Sequence, residues 1–199
     1  MKHKLTIVVI LALAALFGSY AFAQIQLSVN IAPPPIAVFD QPPCPGDGYI
    51  WIPGYYQYGD YGYYWVPGQW VIPPSVGLLW TPGYWGPQVG FYGGINYGNG
   101  YFGSGFTGGR WEGRVFRHNT VVSNVDVNRV HNTYEDHTVV REVKGPNHAF
   151  NGQGGITAQP SRGEVEASRA PHQGPTPVQV SHAQEAHTNH LAAHGAAHR

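Results

Sequence analysis

The sequence predicts a mostly β protein, a small antiparallel meander of Trp-x-Pro-Gly-x-Trp repeats with a Gly-rich aromatic extension and a largely disordered C-terminal tail. Three observations indicate this class. Glycine and proline, 27 and 17 residues of 199, are abundant enough to favour turns and irregular structure. Of the 27 aromatic residues, 20 lie between Tyr49 and Trp111, so we expect the folded core there. A nine-residue pattern also recurs three times in that stretch, spaced as one strand plus one turn.

The first 23 residues resemble a secretory signal peptide. Lys2 and Lys4 precede an apolar run at 5–17, and Ala21 and Ala23 form a small-x-small cleavage site. The alternative is an uncleaved anchor, but the run is shorter than the roughly 20 residues that span a bilayer. We therefore expect an exported chain that begins at Gln24, has no transmembrane span, and resides in the periplasm, at the outer membrane or outside the cell.

Residues 24–47 form a Pro-rich lead that is expected to be extended, with one short strand near 26–30. This lead contains Cys44, the single cysteine, so the chain has no internal disulfide. Cys44 lies about 20 residues past the cleavage site and is not placed as a lipoprotein acceptor. A free thiol is favoured, with an intermolecular disulfide through Cys44 as the alternative.

Composition divides the rest into a Gly/Tyr/Trp repeat module at 48–113, a Val/Asn-rich extension at 114–144 and a His-rich tail at 145–199. Alternation around Val125 and Val127 suggests one or two strands in the extension. The tail has no Trp or Tyr and too little apolar surface to offset the entropy of ordering it. We expect the tail to be largely disordered, with local helix.

The repeats at 48–56, 62–70 and 77–85 share the pattern Gly-x-x-Trp-x-Pro-Gly-x-Trp/Tyr. The two large rings of each copy are five positions apart, which in a regular strand would place them on opposite faces. A one-residue bulge at the Pro-Gly step would bring them to one face, and this is the favoured interpretation. The alternative makes Pro-Gly a type II turn at a hairpin tip, although hairpins prefer the primed turns.

Turns at 59–62 and 73–76 would join the copies into two hairpins. The sequence numbers of two residues that lie opposite each other in a hairpin then add up to a constant, the index sum, which is 121 in the first hairpin and 150 in the second. The meander would carry six rings on one face in two rows, Trp51-Trp70-Trp80 and Tyr56-Trp65-Trp85. We favour a face that is core, covered by the Gly-rich stretch at 90–111, over a platform that stacks sugar rings or binds a partner.

The repeats, the preceding Pro-Pro-Cys-Pro-Gly at 42–46, the Gly-rich stretch at 90–98 and residues 150–160 resemble the bacterial YXWGXW (WXXGXW) repeat proteins. The resemblance covers most of the mature chain. It implies an exported envelope protein of Gram-negative bacteria, without established activity or catalytic residues. Some relatives are lipoproteins linked to contact-dependent inhibition loci, but this chain lacks their acceptor cysteine.

Enzymatic chemistry is not indicated. Two matches to the dinucleotide-binding spacing, at 98–103 and 103–108, lie in a Gly-rich stretch outside any βαβ pattern and are attributed to chance. Nucleophile-elbow, metalloprotease and P-loop motifs do not occur. We therefore expect no catalytic residue and no cofactor. Equal numbers of basic and acidic residues, 11 each, also argue against nucleic acid as a partner.

The tail histidines are a possible metal site. In a helix the last four would lie on one face, and pairs at i and i+4 could bind a divalent transition metal. The favoured interpretation is a solubilising tail with incidental histidines. The candidate ligands are His187, His190, His194 and His198.

These observations predict an exported cell-envelope repeat protein with a non-catalytic structural or adhesive role, whose partner is an envelope protein or a polysaccharide. One alternative is a glycan-binding module that uses the aromatic face. The other is periplasmic metal binding by the His-rich tail.

Overall fold

The computed structural model describes residues 32–36, 40–103, 105–142 and 148–197. The predicted signal peptide with Ala21 and Ala23, the strand near 26–30 and His198 lie outside this part of the chain. The described residues form mostly short strands in small, largely antiparallel sheets, which confirms the predicted fold class. No helix among them is both long enough and apolar enough to span a bilayer.

The strands are β1 (Ile50–Ile52), β2 (Tyr55–Gly59), β3 (Gly62–Val66), β4 (Gln69–Val71), β5 (Leu79–Thr81), β6 (Tyr84–Gly86), β7 (Tyr101–Phe102), β8 (Gly105–Phe106), β9 (Gly109–Glu112), β10 (Val115–Asn119) and β11 (Thr133–Tyr134). A 3-10 helix covers Thr138–Glu142. Two α-helices follow, α1 (Arg162–Arg169) and α2 (Pro177–Ala197).

The first two repeats form one long antiparallel ribbon, in which β1 pairs with β4 and β2 pairs with β3. The index sum is 121 throughout, with Trp51 opposite Trp70 and Tyr56 opposite Trp65, as predicted. Between these two paired segments, Pro53-Gly54 on one strand lies opposite Pro67-Gly68 on the other, two residues against two. The predicted one-residue bulge is therefore wrong, because neither strand carries an extra residue.

Each tryptophan that opens a motif packs on the glycine of the other copy. A Cβ added at Gly68 would collide with Cζ2 of Trp51, and one added at Gly54 would collide with Cζ2 of Trp65. The opposed rings meet edge to face, with centroids 5.3 Å apart for Trp51 and Trp70 and 5.0 Å apart for Tyr56 and Trp65. The two copies thus hold each other by the same contact, made twice.

The third repeat pairs with itself. Strands β5 and β6 form a hairpin in which Trp80 lies opposite Trp85, with Pro82-Gly83 at its tip and Gly83 at φ +103°. The predicted pairing of this copy with the second repeat is therefore wrong, and the alternative, Pro-Gly as a hairpin tip, holds here. A two-residue loop closes this hairpin locally, which costs less chain entropy than pairing with a more distant strand.

The Gly-rich stretch is bonded to the first repeat through Tyr101. The phenol of Tyr101, 1% exposed, donates a hydrogen bond to the carbonyl of Trp51 at 2.9 Å. Strand β7 pairs with β8. A three-stranded sheet follows in the order β11-β10-β9, with β9 antiparallel and β11 parallel to β10. The central cluster of buried residues comes from the repeats and β10, and contains Ile50, Ile52, Val71, Trp80, Trp85 and Phe116.

The extension at 114–144 contains strands, as predicted, namely β10 and β11, but none forms around Val125 and Val127. Asp126 instead organises a turn, in which its carboxylate accepts from the backbone N–H of Asn128 at 2.9 Å and its carbonyl accepts from the N–H groups of Arg129 and Val130. Asp and Asn side chains offer the backbone local hydrogen bonds that compete with a sheet.

The Pro-rich lead at 40–45 has no regular element and is fixed by side chains. Asn124 donates two hydrogen bonds to Gln41, from its backbone N–H to Oε1 at 2.6 Å and from its side-chain amide to the backbone carbonyl at 2.7 Å. The indole of Trp70 donates to the carbonyl of Pro42 at 2.8 Å. Cys44 is a free thiol, as predicted, and is fully buried, which raises its pKa. The alternative of an intermolecular disulfide stays a prediction, and the full burial of Cys44 argues against it in the folded chain.

The C-terminal segment contains more helix than the local helix that the sequence predicted. Both helices begin at a capping box, which supplies acceptors for the free N–H groups of the first turn. Ser161 and Glu164 cap α1. Thr176 and Gln179 cap α2, with side-chain contacts of 3.3 and 2.9 Å in the two directions, and Pro177 occupies the favoured first position.

We predict that Gly68→Ala lowers the free energy of unfolding by about 2 kcal/mol, because the new methyl group forces the Trp51 ring away. Urea unfolding of the variant and the native chain measures this. Gly46→Ala is the matched control, since nothing lies within 4 Å of a Cβ there. A Gly68→Ala variant as stable as the control would show that the Trp-on-Gly contact does not constrain the ribbon.

We also predict an acid-sensitive core at His118. This side chain is 1% exposed and touches the rings of Trp70 and Phe116, and burial lowers its pKa to about 4 despite the nearby Asp47. In the unfolded chain this histidine binds a proton near pH 6.5, whereas in the folded chain it stays neutral down to about pH 4. The free energy of unfolding is therefore unaffected by His118 above pH 6.5, and it falls as the pH drops toward 4. The loss is about 3 kcal/mol.

Denaturant unfolding between pH 7 and 4, compared with His118→Phe, isolates this contribution from that of the carboxylates. The difference in unfolding free energy between the two proteins should change with pH only in that window. Parallel curves for the two proteins would mean that the His118 pKa is close to its ordinary value.

Candidate binding cleft

A cleft of about 440 Å³ opens between the repeats and α2. Its walls carry the motif prolines of all three copies, Pro53, Pro67 and Pro82. Ile52, Val66 and Trp80 are its most buried lining residues, while Gln57, Pro175 and Val180 are exposed at its rim. The remaining lining residues are Tyr55, Gln69, Gly83, Tyr97, Gln179 and Ala183. A volume of this size is typical of pockets that bind small ligands or ligand segments.

The lining is neutral in the part of the chain that the structure describes. No Asp, Glu, Lys, Arg or His side chain among those residues lines it, so an ionic group placed here would lose its hydration without gaining a partner. Burial raises the pKa of Tyr97 to about 12 and also raises the pKa of Tyr55, to which the neighbouring Tyr64 adds. Both phenols therefore remain protonated at neutral pH and can act as hydrogen-bond donors.

Besides its apolar walls, the cleft contains side-chain amides that are available to bind a ligand. In the described part of the chain, the side-chain amides of Gln57 and Gln69 make no hydrogen bond to protein. Each amide offers two donors and one acceptor. A second, more open cleft of about 470 Å³ adjoins the first and shares Gln57, Val180 and Ala183 with it.

Helix α2 forms one wall of the cleft because its N-terminus is tied to the third repeat. The indole of Trp85 donates to Oε1 of Gln179 at 2.8 Å, and this bond is buried. The backbones of Trp85 and Gln173 exchange two further bonds, at 2.7 and 2.9 Å. One turn past Gln179, Nε2 of His182 lies 2.9 Å from the carbonyl of Pro67. Gln179 thus caps the helix and anchors it with the same oxygen.

The histidines predicted as metal ligands pack against tyrosines. His194 stacks on Tyr61 with centroids 4.9 Å apart, and His190 stacks on Tyr64 at 5.1 Å. His187 also contacts Tyr64. His190 and His194 are adjacent, with centroids 4.6 Å apart, but the described residues contain no group of three metal-binding side chains. Metal binding by these residues together with His198 stays a prediction.

The six rings predicted as a ligand face divide into two sets. Trp51, Trp80 and Trp85 are 3%, 6% and 0% exposed and belong to the interior. Tyr56, Trp65 and Trp70 are half-buried. Of the six, Trp80 lines the cleft. The other residues of the cleft were not identified from the sequence, although the recurring motif proline could have indicated its walls.

In a comparison with protein families, the family model of the WXXGXW repeat matches residues 46–71, as two copies. This segment is a pair of WXXGXW repeats. The match confirms the predicted resemblance and coincides with the ribbon of β1 to β4. No curated protein and no solved structure matched the chain.

The ribbon gives the WXXGXW pattern a physical reason. The first aromatic position of one repeat lies opposite the last position of the other, and the glycine is the diagonal neighbour on which the tryptophan rests. Any side chain at that position would occupy the space of the indole ring. The spacing in the motif is therefore the one that lets the first tryptophan of each repeat rest on the glycine of the other.

We predict that Gln179→Met loosens α2, because it removes the acceptor of both the Trp85 indole and the Thr176 N–H. A buried donor left without a partner costs about 1–3 kcal/mol. Hydrogen exchange in α2 should quicken at least tenfold. Gln184→Met, an exposed site on the same helix, is the control and should leave exchange unchanged. Equal exchange in both variants would show that the Trp85 bond does not hold the helix.

Proposed function

We propose that this protein is an exported, non-catalytic protein of the cell envelope, whose repeat module binds a neutral polysaccharide segment in the cleft between the WXXGXW repeats and α2. The observation that carries the proposal is the lining of that cleft, in which the described residues supply apolar walls, free amides and phenols and no ionic side chain. The N-terminal sequence pattern supports export.

Neutral sugars match this chemistry. A sugar ring has an apolar face that packs on aromatic and aliphatic side chains, here Trp80, Pro67 and Val180, and hydroxyl groups at its edge. Those hydroxyl groups could exchange hydrogen bonds with Gln57, Gln69 and Tyr97. Anionic ligands would be disfavoured, because the lining offers them no cation.

A polymer suits the site better than a free small molecule, because two clefts lie side by side. They share the lining residues Gln57, Val180 and Ala183, so a chain bound in the first would lie next to the second. The second cleft is more polar and includes Asp60 and His187. Binding that spans both would give the adhesive role expected of an envelope repeat protein.

Val180→Asp tests the proposal, because it places a carboxylate at the rim of both clefts. Val180 is 53% exposed, so the substitution should leave the fold intact. We expect binding of neutral oligosaccharides to weaken at least tenfold, measured by calorimetry and by intrinsic tryptophan fluorescence, to which Trp80 contributes as one of six tryptophans. The probes are neutral glucan and galactan oligomers.

Val178→Asp is the matched control. Val178 lies on the same helix, is 63% exposed and lines neither cleft, so the same charge is added away from the site. Native binding should persist in this variant. Equal losses in the two variants, or no binding of any neutral oligomer by the native protein, would refute the proposed site.

A further inference from the structure

The same repeat adopts two conformations in one chain. In the ribbon, Pro53-Gly54 and Pro67-Gly68 join consecutive strands that continue along the ribbon, and neither glycine has a positive φ. In the third repeat, Pro82-Gly83 turns the chain back on itself with Gly83 at φ +103°. The Trp-x-Pro-Gly sequence is therefore compatible with an open and a closed form.

Both forms make equivalent ring pairs. In the open form the first aromatic residue of one copy lies opposite the last aromatic residue of the other, as Trp51 lies opposite Trp70. In the closed form the same two positions pair within one copy, Trp80 with Trp85, at a centroid distance of 5.4 Å and an interplanar angle of 61°. The corresponding values for Trp51 and Trp70 are 5.3 Å and 63°.

We propose that the third repeat exchanges between two copies of this chain, with Pro82-Gly83 as the hinge. If it opens, β5 and β6 become one strand that pairs with its counterpart in a second chain. Trp80 of each chain would then lie opposite Trp85 of the other, which reproduces the arrangement that the first two repeats already show. Each lobe of the dimer would contain the residues up to Thr81 of one chain and those from Tyr84 onward of the other.

The geometry of the hinge favours this exchange. Proline fixes φ near −65°, and with Gly83 at a positive φ the loop has the pattern of a type II turn. Type II turns splay hairpin strands against their natural twist, whereas primed turns match it. Short hinge loops under strain promote domain swapping.

Opening the hinge would also give Gly83 a contact that it lacks in the closed form. A Cβ at Gly83 would now meet nothing within 4 Å, whereas Gly54 and Gly68 each support a tryptophan of the opposite copy. In the exchanged dimer, Gly83 would be the diagonal neighbour of the second chain's Trp80. The inference concerns self-association and does not require saccharide binding, although Pro82 and Gly83 also line the cleft.

Size-exclusion chromatography with light scattering tests the exchange on the purified protein. After concentration, or after partial unfolding and refolding, the native chain should show a dimer that dissociates only slowly on dilution. Pro82→Asn creates an Asn-Gly tip, which is suited to the primed turn. This variant should reduce the dimer fraction at least tenfold.

Deletion of Pro82 and Gly83 should have the opposite effect. The closed hairpin then has no loop, while the exchanged ribbon keeps its pairs of Thr81 with Tyr84 and of Trp80 with Trp85. A folded deletion variant should be dimeric at every concentration, and a folded monomer would overturn the proposal. Should the deletion prevent folding, the comparison of the native chain with Pro82→Asn decides. A native chain that stays monomeric refutes the exchange, and so does a dimer fraction that Pro82→Asn leaves unchanged.

Discussion

The contact on which the rest of this structure depends is a tryptophan ring lying on the glycine of the neighbouring repeat. It occurs twice, once for Trp51 on Gly68 and once for Trp65 on Gly54. A two-stranded ribbon alone is marginally stable in water, so it needs buried surface from elsewhere. The paired indoles supply that surface, although their own Nε1 atoms are buried without an acceptor in the described residues. Tryptophan is used here for the area of its ring rather than for its N–H.

Elements far apart in sequence are attached to this ribbon through polar contacts. The Gly-rich stretch bonds to the Trp51 carbonyl through Tyr101, the lead bonds to the Trp70 indole through Pro42, and α2 bonds to Pro67 through His182. Each contact satisfies a backbone or indole group that a short strand leaves free. The cleft is a consequence of this assembly, because its walls combine the Pro-Gly steps of the repeats with α2, which lies far along the sequence.

The sequence sufficed to predict the register of the first hairpin, because the spacing of four large rings leaves one pairing that opposes them all. It did not determine the conformation of Pro82-Gly83, since the same step is open in two copies and closed in the third. Partners elsewhere in the fold decide between these states. The alternation of Val125 and Val127 was misleading for a local reason, because Asp126 binds the backbone that a strand would need. The cleft could not be predicted, since it requires the position of α2.

The order of the tail follows from side chains that hydrophobicity scales count as polar. The face of α2 that meets the ribbon carries His187, His190 and His194, whose rings pack on Tyr61 and Tyr64 as aromatic surface. Counting aliphatic residues therefore underestimates the stability of this helix, and the Thr176-Gln179 capping box was the sequence signal for its start. Packing on the ribbon thus gives these histidines a structural role, and metal binding by them stays a prediction.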